Sequence, residues 1–529
     1  MIVPLQGKPR AIGPVVLFVL MLWAFRPACA GTWQVAAAQP SRAEWEVIRK
    51  IAERFVDHES PPGVWPFRNP SPAVLASSPR WTLAHYFPPY PLSLDNLPAG
   101  RDRYNDALLD PAGAHGWFTA IGGYLRDRPL PAGPWKSRDW REIDDAIEIL
   151  RAERIGIDGF ACDLLRVAPE RDFNAWDEIN LLMRTAEAVA PRFRIIIAPD
   201  SVALRSLPAS RLAAAIAALA QYPSAGRLKD GRLIVSPFAP EVLGVGYWHA
   251  VLDDLETRNV PVAFIPVLLA WRRAAAEFAP ISDAMSAWGE RDADAVKNGA
   301  FGGFETAMAP YTTREMMPVG PQDVRPKSER FWESRNIDAY RLLWMRAIAR
   351  GARFVQIVTW NDYSETSGIA PSAGTQFLFY DLTAYFNDWH KTGTPPAILR
   401  DAIAYCERTE IIPNTTRSIA NAPMQRVERT PLSNRIEMLA FLTAPAMLEI
   451  TLGNHVWHDD APAGFTVFSI PAKAGRPTFA LARNGRVVLR VTSAWEIHQS
   501  FTIENPAYFG GSSTRPFIAV PPFIGDPDE

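Results

Sequence analysis

The chain is poor in cysteine and histidine. Its 529 residues contain 3 cysteines and 8 histidines. One cysteine, Cys29, lies near the N-terminus, and the other two, Cys162 and Cys406, are too few for a disulfide framework. We expect two buried thiols rather than one bridge between them. The histidines are scattered, and no His/Cys cluster has the spacing of zinc ligands, so no metal site is predicted.

The chain also lacks an excess of either charge. Lys and Arg total 55 and Asp and Glu total 57, so no net electric field would attract nucleic acid or an anionic membrane. A neutral polymer is the more natural partner. The 18 Trp and 13 Tyr fit that view because flat rings can stack on sugars, although most such rings pack in cores.

Only the N-terminus carries a long apolar run. Lys8 and Arg10 precede the apolar segment Ala11–Phe25, and Ala28-Cys29-Ala30 supplies small residues before Gly31. This order predicts a signal peptide over residues 1–30. The run is too short for a comfortable permanent anchor, and a retained anchor or a lipid on Cys29 is the alternative. We therefore expect a secreted or periplasmic protein with no membrane association after cleavage.

Two catalytic signatures are missing. No Gly-rich phosphate loop follows an early strand, which argues against a doubly wound open sheet, and no Gly-x-Ser-x-Gly elbow provides a serine nucleophile.

The chain shows an alternation of apolar runs and helical patterns. The runs predict strands at Thr82–Phe87, Ile157–Asp163, Arg194–Asp200, Arg232–Phe238, Pro261–Leu269, Ala284–Trp288, Thr306–Tyr311 and Arg353–Asp362. Predicted helices include Ser137–Arg154, Phe173–Ala190, Ser210–Tyr222 and Glu329–Arg350. Eight such alternations predict an α/β fold, a (β/α)8 TIM barrel over residues 79–412.

The flanking regions have a different texture. Residues 31–78 are predicted to be an N-terminal extension, with a helix from Ser41 through Phe55 and a Pro-rich linker after it. After predicted helices at Asp381–Lys391 and Pro396–Arg408, short alternating runs punctuated by Gly, Pro and Asn-Gly predict a C-terminal antiparallel β-sandwich over residues 420–529.

A barrel places its chemistry at the carboxyl ends of its strands. The eighth predicted strand ends in Trp360-Asn361-Asp362-Tyr363-Ser364-Glu365-Thr366. Two carboxylates three positions apart, beside aromatic rings, can provide the acid and the base or nucleophile that cleave a glycosidic bond. The alternative is that Asp362 or Glu365 merely caps a helix.

Other strand ends supply candidate substrate-binding residues. They are His85, Tyr86, Asp163, Asp200 and Trp288, joined by Trp360, Asn361 and Tyr363 of the eighth strand. A histidine or aspartate at these positions can bind sugar hydroxyls, and a tryptophan can stack on a sugar ring. Each also has a structural interpretation as a satisfied polar group, a helix cap or a core aromatic ring.

The segment 360–366 resembles the Trp-Asn-Asp-Tyr-Gly-Glu-Ser signature of glycoside hydrolase family 71, the α-1,3-glucanases or mutanases. Weaker landmarks occur in the family's order: Ala84-His85-Tyr86-Phe87, Gly156–Ala161, Gly231–Phe238, and Asp283 with Ser286 and Trp288. The resemblance covers roughly residues 80–500 and extends to the family's accessory β-domain.

The resemblance implies a secreted barrel enzyme that hydrolyses α-1,3-glucan with inversion and without a metal or organic cofactor. It implies Asp362 and Glu365 as the acid/base pair, and we assign Glu365 as the acid and Asp362 as the base. The alternatives are a non-catalytic polysaccharide-binding envelope protein and a glycosidase of other linkage specificity on the same barrel, such as a mannosidase.

The chain departs from the family pattern at several positions. Ser364 stands where the family has Gly, Thr366 where it has Ser, and Asp163 where it usually has Asn, and the loop Pro88–Lys136 is atypically long. If the family's Gly needs a positive φ, the loop that carries Ser364 in its place must have a different shape. These departures leave the reaction type standing but leave the exact glucan open.

Overall fold

A computed structural model describes residues 39–167, 175–297, 315–413, 423–427, 430–499 and 503–520. The predicted signal peptide 1–30 and the predicted strand Thr306–Tyr311 lie outside the described residues. Across the described ranges, no helix combines the length and the apolar character needed to cross a bilayer.

The central element is a curled sheet of seven parallel strands. Their order across the sheet is Val262–Phe264, Leu233–Val235, Arg194–Pro199, Gly159–Leu164, Trp81–Tyr86, Phe354–Ile357 and Met316–Val319. The first six correspond to predicted strands, but Met316–Val319 was not predicted. A shorter parallel pair, Val267–Leu268 with Ser286–Ala287, also falls within predicted strands. The fold is therefore mixed α/β with a curled parallel sheet.

The strands are buried on both faces, as expected for a parallel sheet covered by helices. Successive side chains point to opposite faces. Leu83, Ala161 and Ile196 belong to a small apolar cluster on one face. Their neighbours Ala84 and Phe160 belong to the large cluster that includes the surrounding helices.

Helices lie along the outside of the sheet. The longer ones are Trp140–Arg154, Ala175–Val189, Ala209–Leu219, Val245–Thr257, Trp271–Phe278, Asp338–Ala349 and Leu378–Thr392, with short helices at Pro72–Ala76, Gly113–Gly116 and Ala293–Lys297. The helix predicted over Glu329–Arg350 begins only at Asp338. Its predicted first turns are instead taken by the strand Arg330–Trp332, which pairs with Val324–Arg325.

The N-terminal extension forms the predicted helix, from Arg42 to Glu59. Ser41 and Glu44 form a capping box at its start, which satisfies backbone donors that a helix otherwise leaves open. Its buried stripe joins the main core, and the Glu59 carboxylate pairs with the buried Arg151 guanidinium at 2.5 Å. The extension is thus fixed to the outside of the sheet and its helices.

The C-terminal part consists of two antiparallel sheets of four strands each. One contains, in order, Gly464–Pro471, Arg435–Leu442, Ala402–Glu407 and Phe509–Ser512, and the other contains His455–Ala461, Ala446–Leu452, Thr478–Arg483 and Arg486–Thr492. Apolar side chains of both sheets, including Met438, Leu448 and Phe479, form one buried cluster, so the sheets make a sandwich.

The predicted helix over Pro396–Arg408 is wrong, because Ala402–Glu407 is a strand of the sandwich. Ile403 and Tyr405 face the sandwich cluster, whereas Ala404 and Cys406 belong to the main core. A short run that is apolar on both faces cannot be assigned to helix or strand by periodicity alone. Cys406, like Cys162, is a buried free thiol.

A small three-stranded sheet joins the two parts. Val324–Arg325 and Arg330–Trp332 form an antiparallel hairpin after the strand Met316–Val319, and Gln425–Val427 pairs with the second arm. We refer to residues 320–332 as the 320–332 hairpin.

Candidate active site

The ends of three adjacent parallel strands bring His85, Asp163 and Asp200 to one edge of the sheet. His85 and Asp163 point to the same face as Leu83 and Ala161, because residues two apart share a face. The His85 Nε2 lies 4.0 Å from the Asp163 Oδ2. The Trp288 ring meets the His85 ring edge-on, with centroids 4.8 Å apart. These four predicted residues form a floor in which His85, Asp163 and Asp200 are buried and Trp288 is half-buried.

Tyr86 and Trp360 lie on the other face. Both are fully buried in the main core. The Tyr86 hydroxyl donates to the Glu148 carboxylate at 2.7 Å, and the Trp360 indole donates to the same carboxylate at 3.3 Å. They therefore fix the strand Trp81–Tyr86 and the segment that follows Phe354–Ile357 to the helix Trp140–Arg154, and they do not join the floor.

Replacing Tyr86 with Phe tests this placement. The change leaves the ring in place but removes a donor from the buried Glu148. We expect the free energy of unfolding to fall by about 1–3 kcal/mol, since an unsatisfied buried acceptor costs that much. The KM for substrate should be unchanged. Denaturant unfolding and steady-state kinetics check both, and a raised KM with unchanged stability would contradict the placement.

Asn361 and Tyr363 attach the long loop Pro88–Lys136 to the site. The Asn361 side chain accepts from the Phe87 amide at 2.7 Å and donates to the Tyr90 carbonyl at 2.9 Å. Tyr363 packs in an apolar cluster with Tyr90, Tyr104, Leu108, Phe118 and Tyr124 of that loop. The loop is thus a packed wall beside the 360–366 segment.

Asp362 is a buried carboxyl with a raised pKa. Its Oδ1 accepts hydrogen bonds from the Ser364 amide at 2.9 Å, the Ser364 hydroxyl at 2.7 Å and the Glu365 amide at 3.2 Å. Burial and the charge of Glu365 raise the pKa of Asp362 to about 6, against the opposing effect of Lys327 and Ser364. This carboxyl can hold a proton in mildly acidic solution.

Glu365 has the opposite electrostatic environment. Its Oε1 pairs with the Arg325 guanidinium at 2.9 Å, and its Oε2 accepts from the Trp288 indole at 3.3 Å. Burial alone would raise the pKa of Glu365, but the charges of Arg325, Lys327 and Arg291 lower it below its usual value. Glu365 is therefore held as a carboxylate beside a protonatable Asp362.

The cations of this site were missed by the sequence analysis. Arg325 also pairs with Asp323 through two bonds of 2.6 Å, and Arg291 lies 3.5 Å from Asp323. The alternation Asp323-Val-Arg325-Pro-Lys327 was the available signal, since charges two apart share one face of an extended segment.

Two of the floor residues, His85 and Asp163, are held uncharged at neutral pH. Burial lowers the pKa of His85 to about 4. Burial and the negative charges of Asp200 and Asp362 raise the pKa of Asp163 well above its usual range. Burial raises the pKa of Asp200 to about 6, although hydrogen bonds from the backbone amides of Ala203 and Val202 lower it. Neutral hydrogen-bonding groups of this kind suit an uncharged polyhydroxyl ligand.

Ser364 replaces a family glycine without strain. It is not among the residues with positive φ; in this segment that conformation belongs to Thr366, at φ 51°. Its hydroxyl accepts from the Lys327 ammonium at 3.0 Å while donating to Asp362. The departure therefore adds a polar link that glycine could not make.

Together these groups can perform acid/base chemistry. A protonatable carboxyl and a carboxylate held ionised by cations, three positions apart on one loop, are the two groups that hydrolysis of a glycosidic bond requires. The pKa values of Asp362 and Glu365 differ because of their surroundings and not because one is an aspartate and the other a glutamate.

Comparison with known proteins agrees with this chemistry. The profile of glycosyl hydrolase family 71 matches residues 134–516. A glucan endo-1,3-alpha-glucosidase from Schizosaccharomyces pombe is 25% identical over 405 residues, covering 71% of this chain and 91% of that protein. A mutanase from Penicillium rubens is 23% identical over 412 residues, covering 72% of this chain and 86% of that protein.

Among solved structures, the chain is similar to the GH99 endo-alpha-mannosidase from Bacteroides thetaiotaomicron. That similarity has a TM-score of 0.44 at 13% identity and covers 59% of this chain and 97% of the mannosidase chain.

Proposed function

The chain belongs to glycosyl hydrolase family 71, and from this premise we propose that it hydrolyses an α-glucan, specifically α-1,3-glucan. The observation that carries the proposal is the pair Asp362 and Glu365, whose surroundings move their pKa values in opposite directions. The names of the two relatives support the choice of linkage.

Within this proposal Asp362 is the general acid and Glu365 the base. This reverses the assignment made from the sequence, and the reason is electrostatic. Glu365 faces Arg325 at 2.9 Å and is kept ionised, as a base that activates water must be. Asp362 retains its proton to a higher pH and can give it to the leaving oxygen.

We propose that His85, Asp163, Asp200 and Trp288 contact the sugar. Their position beside the two carboxyls and the uncharged state of His85 and Asp163 support this role. The 360–366 segment would then place the reacting carboxyls above this floor, while Asn361 and Tyr363 hold the neighbouring loop wall.

We also propose that the parallel strands form a complete eight-stranded barrel and that residues 1–30 direct secretion. Isolated parallel bridges join Phe238 to Val267 and Met285 to Glu315. The first bridge connects the short pair to the segment after the strand Leu233–Val235, and the second connects it to the residue before the strand Met316–Val319. The short pair therefore lies between the two ends of the seven-stranded sheet, which supports closure of the barrel. An exported enzyme would meet an insoluble glucan outside the cell.

Incubation with a panel of polysaccharides tests the proposed function. We expect reducing sugar to be released from insoluble α-1,3-glucan, and little from α-1,4-glucan, α-1,6-glucan or α-mannan. Proton NMR of the first products should show the β-anomer if water attacks directly, as in an inverting mechanism. Binding to glucan without turnover would support the non-catalytic alternative, and turnover of mannan alone would support the mannosidase.

A further inference from the structure

The 320–332 hairpin brings two cations, Arg325 and Lys327, to the carboxyls Asp362 and Glu365. The Val324 amide donates to the Glu365 carbonyl at 2.7 Å, and the Thr366 hydroxyl donates to the Val324 carbonyl at 3.0 Å. Arg325 and Lys327, on the same hairpin, then reach the Glu365 carboxylate and the Ser364 hydroxyl. A shift of this hairpin would therefore move the positive charge relative to Glu365.

The other side of the hairpin is attached to the C-terminal sandwich. The Gln322 side chain accepts from the Tyr508 amide at 2.8 Å and donates to the Tyr508 carbonyl at 3.2 Å. Val324 and Phe331 belong to the apolar cluster of the sandwich rather than to the main core. The strand Gln425–Val427 pairs with the hairpin's second arm.

Glu333 completes the attachment directly after the hairpin. Its fully buried carboxylate accepts from the Tyr508 hydroxyl at 2.7 Å, the Arg408 guanidinium at 3.1 Å and the Ser433 amide at 3.0 Å. All three donors come from the C-terminal part. Both ends of the hairpin are therefore held by polar bonds that are buried and specific in geometry.

We propose that Gln322, Glu333 and Tyr508 are positioning residues of the hydrolase, through which the sandwich sets the place of Arg325 and Lys327 against Glu365. The sandwich is then a component of the active site and not a separate accessory module. The inference rests on the proposed function insofar as Glu365 is a catalytic carboxylate.

The pKa of Glu365 reports the position of the hairpin, because the cations that lower this pKa include Arg325 and Lys327 of the hairpin. The charged and titratable groups around Glu365 come from four parts of the chain. They are Arg291, Asp323, Arg325, Lys327, Asp362 and His85. Three of these six, Asp323, Arg325 and Lys327, lie on the hairpin itself, so its displacement changes the charge around Glu365.

Gln322→Ala tests the proposal. The variant leaves the Tyr508 amide and carbonyl unpaired but touches neither a cation nor a carboxyl of the site. We expect kcat to fall about tenfold with KM nearly unchanged, because small displacements of catalytic groups are costly. Both limbs of the pH profile should move up, the acidic limb by about one pH unit, since Glu365 and Asp362 both lose part of the cationic neighbourhood that lowers their pKa values.

Asp401→Asn is the matched control. The Asp401 carboxylate accepts from Thr443 and Arg483, both in the sandwich, and none of these bonds involves the hairpin. This variant should lower the Tm while leaving kcat and the pH profile as in the wild type. If Gln322→Ala behaves in the same way, with a lower Tm and an unchanged pH profile, the proposal is overturned.

Tyr508→Phe keeps the test decisive if Gln322→Ala does not fold. It removes only the hydroxyl that binds Glu333, and we expect the same upward shift, smaller in size. The pKa of Glu365 can also be followed without turnover, as the ¹³C carboxyl resonance that is absent in Glu365→Gln. If the variants raise the pKa of Glu365 but the wild type cleaves no glucan, the positioning role is supported and the proposed function is refuted. If the wild type cleaves glucan but the variants leave the pKa of Glu365 unchanged, the proposed function is supported and the positioning role is refuted.

Discussion

Glu365→Gln and Asp362→Asn are each expected to lower kcat on insoluble α-1,3-glucan by about 10²–10⁴-fold, the usual contribution of a general acid or base. Both changes preserve shape. All three hydrogen bonds to Asp362 fall on Oδ1, which an asparagine oxygen can replace. The glutamine oxygen can likewise still accept from Arg325. Circular dichroism should therefore remain near that of the wild type for both variants. Glu365→Gln should lower the Tm, because the buried Arg325 guanidinium loses one of its two carboxylate partners. Kinetics of the purified variants measure the loss of kcat.

A substrate with an activated leaving group separates the two roles. A dinitrophenyl α-glycoside needs no proton on its leaving oxygen, so Asp362→Asn should retain most of the wild-type rate on it. Glu365→Gln should remain inactive, because water must still be activated. The reverse pattern would restore the assignment of Glu365 as acid, and full activity of both variants on glucan would remove the pair from the mechanism.

Arg325→Met should impair both stability and catalysis. It removes the cation from two buried carboxylates, Asp323 and Glu365, and breaking a buried ion pair in this way costs about 3–5 kcal/mol. Denaturant unfolding measures this loss. Arg325→Lys, which keeps the charge but not the two-pronged bond to Asp323, should lie between Met and the wild type.

The pH profile of Arg325→Met has a definite sign. In the wild type, activity should rise with pH as Glu365 ionises below its usual pKa, and fall as Asp362 loses its proton near pH 6. Arg325 lowers the pKa of both groups, so its removal should move both limbs of the bell to higher pH. Arg325→Lys should leave the bell in place. Movement of one limb alone, or of neither, would show that Arg325 does not set these protonation states.

The strand ends could be predicted from the sequence because apolar runs of five or six residues mark buried parallel strands. That reasoning located His85, Asp163 and Asp200 at one edge. It did not use the two-residue period, which separates His85 from Tyr86 and puts Tyr86 against Glu148. Asp362 and Glu365 were recognised because they follow the eighth predicted strand beside aromatic rings, and the family signature then implied their roles as an acid/base pair.

The cations could not be located in this way. Arg325 lies in a two-residue strand and Lys327 shortly after it, and no family signature marks them. Their position depends on the partner strand Arg330–Trp332, which itself pairs with residues 425–427, about a hundred residues later. The strand Met316–Val319 was missed for a related reason: its sequence, Met-Met-Pro-Val, contains a proline that argues against a strand unless the sheet context is known. Both features arise from contacts between distant segments, which a local pattern does not record.

The strand Ala402–Glu407 presents alternate side chains to two different apolar cores, and this has a consequence for melting. Neither core can lose its order without exposing one face of the same six residues. Heating should therefore disrupt sheet, helices and sandwich in a single cooperative step, with no partly melted species in which one half survives. A protein of this kind tolerates heat up to one threshold and then fails as a whole.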